Sequence, residues 1–128
     1  MGKELPEPDE SNAVVEWESE IVTELHEDGM FEEMTTMAAS EFVGHMNDLS
    51  KMKEQTKEEW EQWPPWKVAH SVKGLCLSLG FARLAKYAKA VESLKVDIEP
   101  DDIPEIIKVM QNLFDEAMAE VKSKTNEP

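Results

Sequence analysis

Apolar side chains recur along this chain at intervals of three and four, and strand-like alternation is absent. That period follows one face of a 3.6-residue helix, so each long segment has a single stripe to bury, and helices must pack on helices. The clearest stripe is Ile103, Ile106, Met110, Leu113, Ala117 and Val121. Asp102-Ile103-Pro104-Glu105 opens it as a capping box, aspartate as N-cap and glutamate three residues on. A second stripe, Phe31, Met34, Ala38, Phe42, Met46 and Leu49, predicts a helix from Met30 to Met52. Pro64-Pro65 breaks any continuous ladder, but proline suits a first turn, so a third helix starts there and runs to about Leu79. Gly80 separates it from a fourth, Phe81 to Leu94, built on Phe81, Leu84, Ala88 and Val91. A short first helix is predicted from Ala13 to Leu25 on Val14, Trp17, Ile21 and Leu25, stopped by Asp28-Gly29. The expected fold is all-α: an antiparallel four-helix bundle with an additional short N-terminal helix.

A length of 128 residues suits one domain, expected over residues 13–124. Residues 1–12, with Pro6, Pro8 and several acids, read as a disordered acidic tail. No apolar run approaches the roughly 20 residues of a membrane span, and no secretory signal opens the sequence. One cysteine, Cys76, excludes an internal disulfide framework and a four-cysteine zinc site. With 28 acids and 13 bases the net charge is −15, which argues against a nucleic-acid partner. The expectation is a soluble, cytoplasmic, monomeric domain. Its charge is unevenly placed. Residues 1–33 hold twelve acids and the single base Lys3, whereas residues 67–96 hold Lys67, Lys73, Arg83, Lys86, Lys89 and Lys95 against Glu92 alone. That basic stretch is where an anionic ligand would be sought.

Its first helix carries a histidine. At about 100° per residue from His70, Val68, Val72, Leu75 and Leu79 cluster around the opposite pole, so His70 points away from the core. On its own face lie Gly74, Lys73, Lys67, Trp66 and Leu77. A histidine titrates near neutrality, so a neutral imidazole nitrogen is available as a nucleophile. A phosphoryl group would bring about two negative charges, and Lys73 lies one turn away to offset them. Glycine at position 74 costs about 1 kcal/mol of helix propensity relative to alanine. Close approach of another protein's backbone would explain it, with Trp66 and Leu77 as apolar docking contacts.

The run Ala69-His70-Ser71-Val72-Lys73-Gly74, followed by Leu79-Gly80 and Leu84, resembles the signature of the histidine-containing phosphotransfer (HPt) domains of two-component phosphorelays. The close match covers roughly residues 66 to 92. Val72 stands where leucine is usual, and Leu75-Cys76 where small residues are common. The resemblance implies a phosphorelay carrier that accepts a phosphoryl group on His70 from a receiver-domain aspartate and passes it to another receiver. It makes Lys73 the phosphate-neutralising group and Gly74 the clearance for the incoming active site. Trp66, Lys67, Leu77 and Arg83 are the candidate docking residues for receivers of response regulators and hybrid histidine kinases. It implies no cofactor and no metal in this chain, since magnesium comes with the receiver. No glycine-rich phosphate loop or kinase signature is present, so the chain is expected to carry phosphate without kinase activity of its own. An HPt-like adaptor that binds receivers or kinases without phosphate turnover is the alternative.

Other candidates are weaker. His26 and His45 read as surface histidines without a third ligand nearby. Trp60 and Trp63 are expected to pack against the end of the bundle, and Cys76 to be an inert buried thiol.

Overall fold

A computed structural model describes residues 5–125. Among them there is no strand, and five α-helices pack together: α1 (Glu20–Glu27), α2 (Phe31–Met52), α3 (Pro65–Leu77), α4 (Ala82–Ser93) and α5 (Ile103–Thr125). Short 3-10 turns at Lys57–Trp60, Lys95–Asp97 and Pro100–Asp102 lie in the connections. No helix among the described residues is long and apolar enough to cross a membrane.

The two long stripes are buried as their spacing predicts. Phe31, Ala38, Phe42, Met46 and Leu49 of α2 are in the core, and so are all six α5 positions from Ile103 to Val121. At the centre, Phe42 stacks on Phe114 with ring centroids 4.1 Å apart, and Phe81 meets Phe114 edge-on at 6.0 Å. Each such side chain contributes roughly 1.5–3 kcal/mol by leaving water. α3 lies along α4, α2 touches α3 and α5, and α5 also touches α4. The Asp102 carboxylate also reaches back into the preceding turn, where it accepts from the Glu99 N–H at 2.8 Å.

Only residues 78–81 separate α3 from α4, so the chain turns back sharply and the end of α4 returns beside the first half of α3. Gly80 makes that reversal possible at φ +73, a left-handed conformation that side chains with a Cβ resist. A Cβ there would also run into the Val22 side chain of α1.

The first helix differs from expectation. It spans Glu20–Glu27, not Ala13–Leu25, because the backbone of 13–16 bonds elsewhere. The Glu16 N–H donates to Gly80 O at 2.8 Å, and Ala13 O accepts from the Arg83 N–H at 3.0 Å. Ser19 then starts the helix, its hydroxyl accepting from the Val22 N–H. Val22 is fully buried, whereas Ile21, expected on the apolar stripe, is half exposed. Of the expected disordered tail, residues 1–4 lie outside the described residues, and residues 9–12 are attached to α4. The Arg83 guanidinium donates to Glu10 O and Asn12 O, each at 3.1 Å. Lys86 pairs with Asp9 at 3.2 Å. Hydrogen bonds from the Ser11 hydroxyl and amide, with help from Lys86, hold the Asp9 carboxyl down to about 2.

Candidate functional site

α3 buries Val68, Ala69, Val72 and Cys76, and its opposite face carries His70 with a side chain 63% exposed. The outward orientation required by the helical period is met. What the period could not supply is the partner. Glu92, near the end of α4, places one carboxylate oxygen 2.5 Å from His70 Nδ1 and the other 2.8 Å from Lys73 Nζ. A carboxylate only accepts, so Nδ1 carries the proton of this contact. In the neutral ring, Nε2 then keeps its lone pair. The hydrogen bond from Lys73, and after it the one from His70, hold the Glu92 carboxyl below the usual carboxylate range against partial desolvation.

His70, Lys73 and Gly74 thus share one surface, and four other predicted residues divide around them. Leu77 is 56% exposed on the same face. Trp66 is half buried, with Lys95 Nζ 4.0 Å above its ring and Lys67 Nζ at 5.7 Å. Lys67 also reaches Gln62 O at 3.4 Å. Arg83 does not join them. It precedes Glu92 by nine residues, roughly 13 Å along the helix axis. Besides holding Glu10 and Asn12, its guanidinium bonds Glu116 at 2.8 Å. It fastens the N-terminal segment to α4 and α5, away from the His70 face on which it was expected to help a receiver dock.

The basic stretch is therefore less bare than its sequence. Lys73, Arg83 and Lys86 are paired with Glu92, Glu116 and Asp9. Lys67, Lys89 and Lys95 have no carboxylate partner among the described residues.

Beside His70 a groove of about 720 Å³ opens between α2 and α3. Glu41, Gly44, His45 and Asp48 form its α2 wall, facing His70 and Gly74 of α3. A Cβ at Gly74 would meet nothing within 4 Å, so no internal contact demands glycine there. Gly74→Ala is accordingly expected to raise stability, by up to about 1 kcal/mol in chemical denaturation, because it restores helix propensity at no steric cost. A loss of stability would show an internal reason for the glycine.

The remaining candidates fall into place. Cys76 is buried, and desolvation pushes its thiol up to about 12. Trp60 is buried and donates to Met52 O at 3.1 Å. Trp63 does not pack as expected: it is 43% exposed, in the bend before α3. His26 is exposed but meets Trp17 and Phe31 as a ring, with centroids 5.9 and 5.7 Å away. Among the described residues no three of His, Cys, Asp and Glu are disposed to hold a metal ion.

Sequence reasoning passed over Glu92 and Gly44. Each had a signal: Glu92 is the lone acid in a basic stretch, and Gly44 is a glycine inside a long helix. No family model, curated protein or solved structure matches the chain, so the arrangement around His70 carries the functional reading by itself.

Proposed function

We propose that this chain is a phosphorelay carrier, with His70 as the residue phosphorylated. The observation that carries the reading is the Glu92 bridge. It gives an exposed imidazole a fixed tautomer, with Nδ1 bonded to the carboxylate and Nε2 turned over to chemistry. In the reaction, the Nε2 lone pair attacks the phosphorus of a receiver's aspartyl phosphate. The N–P bond forms as the bond from phosphorus to the aspartyl oxygen breaks, and the aspartate leaves as a carboxylate. The ring keeps its Nδ1 proton and becomes positively charged, a change that Glu92 stabilises. Return of the phosphoryl group to a second receiver reverses these steps. Lys73, held by Glu92 one turn from His70, offsets charge on the phosphoryl oxygens. Gly74 leaves room for the receiver's backbone.

In this reading α2 to α5 form the antiparallel four-helix bundle and α1 is the addition to it. The partners are receiver domains of response regulators and hybrid kinases, met in the cytoplasm by a monomer. Magnesium enters on the receiver, and this chain contributes neither a cofactor nor kinase activity.

The test is direct. Incubated with phosphorylated receivers from the same genome, the protein should gain label that is acid-labile and alkali-stable, and His70→Gln should gain none. Label that persists in His70→Gln would place the chemistry elsewhere. A folded protein that binds receivers but never gains label would be an adaptor.

A further inference from the structure

The groove has a second bare position. Gly44 lies in the interior of α2, where glycine weakens a helix relative to alanine, and a Cβ there would meet nothing within 4 Å. Like Gly74 across the groove, it is required by no contact among the described residues. Glu41 and Asp48 flank it on the same wall, seven residues apart, and so about 10 Å along one face. Neither carboxylate pairs with a cation among the described residues. At the start of α3 the charge has the opposite sign, with Lys67 and Lys95 both beside Trp66. The surface around the histidine is therefore divided, anionic along the α2 wall and cationic at the start of α3.

Resting on the carrier reading, we propose that this division selects and orients the receiver: a lysine- or arginine-bearing segment of the partner seats over Gly44, between Glu41 and Asp48. Bare backbone at Gly44 lets that segment approach closely, and the two carboxylates receive its cation. Partner acids fall toward Lys67 and Lys95. A partner turned end for end would set like charges against each other on both sides, so only one orientation brings its aspartyl phosphate to His70. A receiver lacking the cation would be a poor donor.

The test compares the full chain with Glu41→Lys/Asp48→Lys, Gly44→Leu and, as a control of equal charge change per site, Glu24→Lys on α1. Dissociation constants for the receivers that serve the wild type are measured by titration calorimetry, together with rates of label transfer. The double reversal should weaken binding by roughly tenfold or more and flatten its salt dependence. Gly44→Leu should weaken binding to a similar degree while its melting temperature stays level or rises. Reversing the receiver's matching lysine or arginine to glutamate should restore affinity for the double reversal. Wild-type binding and transfer by both groove variants would overturn the proposal and leave the carrier reading standing. A wild-type protein that takes label from no receiver and binds none would overturn the carrier reading and this proposal with it.

Discussion

On the proposed carrier function, replacing Glu92 by alanine is expected to slow phosphoryl arrival at His70 by about a hundredfold, the scale on which losing a positioned group or its orientation acts. Two effects combine. Nδ1 loses the acceptor that fixes its proton, so the ring can turn and can carry the proton on Nε2, where it blocks attack. Lys73 loses its tether at the same time. Glu92→Gln separates these contributions. Its amide oxygen can still accept from Nδ1 but no longer stabilises positive charge, so a milder loss of about tenfold is expected. Rapid-quench transfer from a labelled receiver measures both, and wild-type rates in Glu92→Ala would remove Glu92 from the mechanism.

A pH signature accompanies that substitution. The Glu92 carboxyl is lowered in the folded chain, so the stability it contributes is present above the ordinary carboxylate range. It is lost as pH falls through the lowered folded value. Glu92→Ala should therefore be less stable than the wild type at neutral pH and show a shallower acid-side decline, so that the two proteins converge as the carboxyl of the wild type protonates.

The largest effect on the fold itself is expected at Gly80. Gly80→Ala should cost about 3 kcal/mol, a fall in Tm of roughly 10 °C. Left-handed backbone at a residue with a Cβ accounts for about 1–2 kcal/mol. The remainder is overpacking, because the new methyl group runs into Val22 and forces α1 off the turn between α3 and α4. Gly29 supplies the comparison. It has almost the same φ, +72, but a Cβ there would meet nothing within 4 Å. Gly29→Ala should thus lose only the backbone part, and equal losses at the two sites would mean that the contact with α1 adds nothing.

The features legible in the sequence were those that one helix displays by itself. The stripes of α2 and α5, the outward face of His70, and the company of Lys73 and Gly74 all follow from a 3.6-residue period. What failed to show depends on which helices become neighbours. Glu92 lies 22 residues from His70 and meets it only because the turn at Gly80 folds α4 back along α3. Arg83 has the same charge as Lys73, yet its partners arrive from residues 10, 12 and 116. The apolar spacing from Val14 to Leu25 did not yield a helix before Glu20, because backbone groups on Gly80 and Arg83 offered residues 13 and 16 alternative hydrogen bonds. Local period predicts a face, and tertiary neighbours decide its use.

The buried thiol of Cys76 gives the molecule an internal clock. It sits on the inner face of the helix whose outer face carries His70, so a thiol reagent can reach it only while α3 is lifted from its neighbours. With one cysteine in the chain, the labelling rate at low reagent concentration counts those openings without ambiguity of position. A loss of about 3 kcal/mol, as expected for Gly80→Ala, would quicken labelling by roughly two orders of magnitude if that opening is global. On the proposed function, a docked receiver would hold α3 down and slow it, which would make one sulfur atom a gauge of partner occupancy.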